Sequence, residues 1–118
     1  MRLEITFADV TTAGGTFTFD FPTLPIGTLL LHQHVLVEEV FDSGTSDSLE
    51  IGDGTDPNAY GTANDQQALS NAPAAAGADA FPEQLEVATD IRLTLTTVGT
   101  VPTTGKTHVT IVYVPVNP

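Results

Sequence analysis

The sequence has no cysteine and no tryptophan, and only three of its 118 residues are lysine or arginine. Without thiols there is no disulfide scaffold of the kind that staples small secreted knots, no thiolate zinc site and no cysteine nucleophile. With tryptophan missing and only Tyr60 and Tyr113 as tyrosines, a sugar platform of stacked rings lacks its usual parts. Fifteen acidic side chains against three bases set a formal charge of −12, which repels phosphate backbones and anionic lipid at neutral pH. Nucleic acid and membrane are therefore not expected as partners. Long apolar runs are lacking too. The most apolar stretch, Leu29 to Val37, is interrupted by His32, Gln33 and His34 and falls well short of the ~20 residues of a helical membrane span. The start, Met1-Arg2-Leu3-Glu4, alternates charge with apolar residues, so no secretory signal is expected. The missing thiols fit synthesis in a reducing cytoplasm.

A chain of 118 residues that is 41% apolar fills one core, which predicts a single domain over residues 1–118. Thr, Val, Ile, Phe and Tyr dominate between turn signals, and this is the pattern of an antiparallel sheet protein. Leu3, Ile5 and Phe7 alternate with Arg2, Glu4 and Thr6, giving a half-buried strand. After Ala13-Gly14-Gly15, Phe17, Phe19 and Phe21 repeat with period two, and the glycine pair permits a tight reversal, so these two segments are expected to pair as a hairpin. From Leu29 to Phe41 apolar residues occupy both parities. This predicts a long strand buried on both faces or changing face at a bulge; the β-branched Val35, Val37 and Val40 argue against a helix.

Ser48 to Ile51 reads as a short strand followed by turn chemistry from Gly52 to Asn58. From 59 to 82 no period survives, which predicts a long Ala/Pro/Gly-rich irregular loop. Val87, Ile91, Leu93 and Leu95 restore the alternation, and Val109, Ile111 and Tyr113 repeat it, with Gly99 to Lys106 expected as a hairpin loop between the two. The sum is an all-β chain: an antiparallel β-sandwich or jelly roll of about six to eight strands with one long irregular loop.

Few residues combine into chemistry. His32 and His34 share one side of a strand and, with His108 or Glu38, can complete a metal shell; polar residues on a strand face account for them as well. Asp53-Gly54-Thr55-Asp56-Pro57-Asn58, with Asp42 and Asp47 near in sequence, offers hard oxygen ligands for calcium but fails the EF-hand spacing, and an Asx turn explains the same residues. Glu38, Glu39, Glu50, Glu83 and Glu86 lack a cleft frame for a glycosidase pair. Ser43, Ser46, Ser48 and Ser70 stand in no nucleophile elbow, and no phosphate loop occurs. No catalytic, cofactor-binding or metal residue is assigned, and a non-enzymatic protein is expected. The acidic clusters Glu38, Glu39, Asp42 and Asp47, Glu50, Asp53, Asp56 read as a solvated face.

The stretch Val37-Glu38-Glu39-Val40-Phe41-Asp42-Ser43-Gly44, followed by Ser48 to Tyr60, resembles small virion structural proteins of tailed bacteriophages. Ile91 to Thr96 and Gly105 to Val114 add to the likeness, which touches about half of the chain. Within that group the chain is most similar to capsid decoration, or cement, proteins. The resemblance implies a structural protein made in the host cytoplasm and carried on the outer capsid surface of the virion, bridging subunits of the major capsid protein as a homotrimer, with no cofactor. It transfers no catalytic residue. The charge of −12 fits an exterior place, because packaged DNA fills the interior with negative charge. The contact surface is expected at Phe17, Phe19 and Phe21 and along the loop with Tyr60, Leu69 and Phe81; ordinary core packing is the competing account of the three phenylalanines. The alternatives are a tail, neck or head-fibre structural or glycan-binding module and a small metal-dependent enzyme.

Overall fold

The computed structural model describes residues 1–79 and 81–116. Among them are nine strands: β1 (Arg2–Thr6), β2 (Gly15–Asp20), β3 (Leu29–Glu39), β4 (Gly44–Gly52), β5 (Gly61–Asp65), β6 (Ser70–Ala72), β7 (Glu83–Gln84), β8 (Arg92–Gly99) and β9 (Lys106–Val114). The fold is all-β, with two antiparallel sheets that do not close into a barrel. The first sheet runs β1-β9-β3-β6, with β7 also on β3; the second runs β2-β8-β4-β5. Alternation along each strand turns one row of side chains inward. Ile5, Leu30, Val35, Val109 and Ile111 of the first sheet meet Leu49, Ile51, Leu93 and Leu95 of the second in one buried core.

Neither expected terminal hairpin forms. β1 pairs with β9 in the first sheet, whereas β2 pairs with β8 in the second. A short 3-10 turn at Phe7–Asp9 and the buried Val10 carry the chain across, and Gly14, at φ 73°, bends the chain into β2 instead of closing a hairpin. The segment 100–105 likewise crosses between sheets, so Gly99 to Lys106 is an arch and not a hairpin loop. Period-two patterning says which side faces inward, and both members of each pair satisfy it better by covering the core from opposite sides.

β3 changes face as its double parity predicts. Its register against β9 slips between Leu30 and His32 and again between Val37 and Glu39, so Leu31 and Glu38 bulge out while Leu30, Gln33, Val35 and Val37 stay buried. The segment 59–82 departs from the expected loop, because β5 and β6 lie inside it. β5 pairs only with β4, and β6 places three residues against β3, so both are too short and too polar to show a period. The chain beyond β6 is held by Gln33, whose Nε2 donates to the Ala74 carbonyl at 2.8 Å while the Ala74 N–H donates to its Oε1 at 3.0 Å.

At one end of the sandwich Asp42, on the link 40–43 that crosses from β3 to β4, is tied to the 100–105 arch. It accepts from the Thr103 N–H and hydroxyl, each at 2.7 Å, and from the Thr104 N–H at 3.1 Å. The Thr103 hydroxyl, with the amide donors behind it, holds the Asp42 carboxyl below the usual carboxylate range.

Candidate functional site

Sheet order decides which polar residues meet. On the outward side of the first sheet, β1 contributes Arg2, Glu4 and Thr6, β9 contributes Lys106, His108, Thr110, Val112 and Val114, and β3 contributes His32, His34 and Leu36 beside its bulges. All three histidines of the chain and two of its three basic residues therefore lie on one face. Only Glu4, Glu38 and Glu39 oppose them there, which leaves twelve acids against Arg92 on the rest of the molecule. Arg92 is itself paired in bidentate fashion with Asp20 at 2.7 and 3.0 Å, and this hydrogen bonding draws the Asp20 carboxyl down from its usual range.

The face is graded. At one end His108 sits between two strands' carboxylates, its Nε2 2.8 Å from Glu38 and its Nδ1 3.6 Å from Glu4. The His108 hydrogen bond keeps the Glu38 carboxyl below its usual range, with Lys106 and Arg2 adding to it. In the middle, His34 Nε2 meets Asn71 of β6 at 2.6 Å, and the His32 ring lies 6.1 Å from that of His34. At the far end Leu31, Val112 and Val114 are 41%, 44% and 46% exposed, an apolar strip on an otherwise polar sheet. Beside His32 lies a dimple of about 170 Å³, lined also by Tyr60, Pro73, Ala76 and Phe81.

The contact residues expected from the sequence are divided by the fold. Phe21 is buried, and Phe17 and Phe19 turn inward opposite Leu95 and Leu93, so all three serve the core. Tyr60 is buried and stacks on Phe81 with ring centroids 5.4 Å apart, pinning the chain after β6. Burial, reinforced by Asp53, Asp79, Glu83 and Asp56, pushes the Tyr60 phenol up to about 12, so it stays protonated at neutral pH. Leu69 is 71% exposed beside β6 and remains available for contact.

The metal readings find no support in the geometry. His34 is used by Asn71 and His108 by Glu38, and among the described residues no three His, Cys, Asp or Glu side chains gather as a metal group. Asp53 Oδ1 accepts from the Thr55 and Asp56 N–H groups at 2.8 and 2.7 Å, an Asx turn. A polar groove of about 390 Å³ beside it is lined by Thr23, Asp53, Thr55, Thr89, Asp90 and Arg92. The acidic cluster is corrected at one place: Asp47 lies inside, on the inward row of β4 with Leu49 and Ile51. That phase was readable in the sequence, whereas the partition of charge between faces required the β1-β9-β3 order. Compared with known proteins, the chain matches no family model, no curated protein and no solved structure.

Proposed function

We propose that this protein is a non-enzymatic docking module, a decoration or cement protein of a phage capsid, and that it binds major capsid protein subunits through the outer face of its first sheet. The observation that carries the reading is the exposed strip Leu31, Val112 and Val114 near His32 and His34, on the sheet face that holds two of the chain's three basic residues. Exposed apolar side chains that lie together with polar neighbours around them mark an interaction surface. The acidic remainder, the buried Asp47 apart, then points to solvent and keeps polyanions at a distance. Such a protein works by adding interface at many lattice positions, and three copies around a local threefold axis would let one small fold reach several subunits.

The test is occupancy on purified particles. Wild-type protein should saturate stripped capsids, remain accessible to antibody on intact DNA-filled heads, and raise the temperature of capsid disruption. Val112→Asp with Val114→Asp, both at exposed positions, should change folding stability by no more than ~0.5 kcal/mol per site and reduce occupancy at least tenfold. Occupancy unaffected by the pair, or protein confined to the tail or to the space beneath the shell, would overturn the reading.

A further inference from the structure

A second set of polar residues lies buried at the end of the sandwich and takes no part in the docking face. Asp47 is 1% exposed on the inward row of β4. Its Oδ2 accepts from the Ser43 N–H at 3.1 Å and from Gln67 Nε2 at 2.8 Å, which fixes the carboxylate, while Oδ1 has no hydrogen-bond partner among the described residues. Three further buried side-chain oxygens share that condition: Ser43 Oγ, Gln66 Oε1 and Thr97 Oγ1. Each belongs to a residue placed against Asp47. Ser43 is joined through its N–H, Gln66 donates its own N–H to the Asp47 carbonyl at 2.8 Å, and Thr97 is the cross-strand partner of Asp47. The Gln66 amide is oriented by Nε2, which donates to the carbonyl and side-chain oxygens of Asn64 at 3.3 and 2.8 Å and leaves Oε1 unbonded.

The chemistry of this set is one-sided. Asp47 Oδ1 and Gln66 Oε1 can only accept, and neither Ser43 nor Thr97 stands in hydrogen-bond geometry to supply them. No basic side chain pairs with Asp47 among the described residues; Arg92 is taken by Asp20, and Arg2 and Lys106 lie on the outer face of the other sheet. A buried carboxylate is normally compensated by a charge or a metal. One carboxylate, one amide carbonyl and two hydroxyls make an all-oxygen donor set suited to a hard cation. A formal charge of −12 raises the local cation concentration, and a groove of about 320 Å³ whose walls include Asp47 and Gln67, but not Ser43, Gln66 or Thr97, lies on the solvent side of the carboxylate.

We propose that Asp47 Oδ1, Ser43 Oγ, Gln66 Oε1 and Thr97 Oγ1 form a binding site for a hard cation of the calcium class, whose shell water completes. The ion staples β4 and β8 to Ser43, just before β4, and to Gln66, just after β5, and it binds only the folded protein. The site is distinct from the Asp53 turn and independent of the docking face.

The experiment is thermal melting of chelator-stripped protein in tetramethylammonium chloride, an electrolyte whose cation is too large for the site, with calcium, magnesium or sodium chloride added at constant ionic strength. At a hundredfold excess over Kd, calcium should raise Tm by about 10 °C, with magnesium giving a smaller rise. Asp47→Asn should abolish the calcium shift. Thr97→Val removes one donor oxygen without touching charge, so it should melt no lower than wild type in chelator yet lose most of the shift, and it decides the matter if Asp47→Asn does not fold. A wild type indifferent to all three cations would overturn the proposal and leave the four oxygens to water. An equal shift in wild type and Thr97→Val would overturn it in favour of surface acids.

Discussion

Gly105 shows how one residue fixes a crossing between the sheets. It sits at φ 143°, where an L side chain is strained, and a Cβ there would lie 2.4 Å from the Phe41 ring, which is fully buried. The ring cannot retreat without opening the core, so Gly105→Ala combines backbone strain with overpacking and should cost about 3 kcal/mol. Gly44 provides the control: its φ is 104°, but nothing lies within 4 Å of the corresponding Cβ. Gly44→Ala should therefore cost only the strain, about 1 kcal/mol. Urea denaturation of both variants checks the difference; equal losses would mean that the Phe41 contact contributes nothing.

At the scale of elements, β3 works as the spine of the first sheet, flanked by β9 on one edge and by β6 and β7 on the other. Directly past β6, residues 73–79 belong to no strand, and Gln33 holds them by giving Ala74 both a donor and an acceptor, next to the Thr62 N–H that donates to the Ala75 carbonyl. Gln33→Leu fills the position with an apolar side chain of similar size but strips both partners from a buried peptide unit, at a cost of about 2–3 kcal/mol. Hydrogen exchange should speed up at the Ala74 amide first, while amides of β8 and β9 change only with global stability. Uniform acceleration across the chain would show that the clamp is no local device. This contact also marks where reading the sequence stops. The alternation in β1, β2, β8 and β9 was legible because each has one wet and one dry face, and the double parity of β3 announced its bulges. Strand partners were not legible, since a period carries no label for the sheet. β5 and β6 escaped notice because short edge strands bury too little to leave a pattern, and Gln33 and Asp47 looked like surface residues until their phase placed them inside. For the candidate face, the histidine spacing was visible, but the gathering of all three histidines with Arg2 and Lys106 emerges only once β1, β9 and β3 lie side by side.

Over the whole molecule, charge is the term that composition leaves least balanced. Twelve acids oppose Arg92 outside the outer face of the first sheet, and Arg92 is neutralised by Asp20. The body is 43 × 24 × 24 Å, so at ~0.01 M salt, where the screening length is about 30 Å, carboxylates on opposite sides of its short axes still repel one another. At ~0.1 M the length falls to about 10 Å and only neighbours interact; at ~1 M it is about 3 Å and the repulsion is confined to direct contacts. Unfolding spreads the same charges over a larger volume, so repulsion favours the unfolded chain and screening favours the folded one. Tm in tetramethylammonium chloride should accordingly climb by several degrees between ~0.01 and ~0.1 M and then flatten, and that bulky cation separates screening from occupation of the Asp47 site. Swapping it for sodium or calcium at fixed ionic strength isolates the remaining, site-specific increment. A Tm that is flat or falling over the low-salt range would mean that the acids are spaced widely enough to leave the folded state unburdened, and the partition of charge between the two faces would then matter for docking alone.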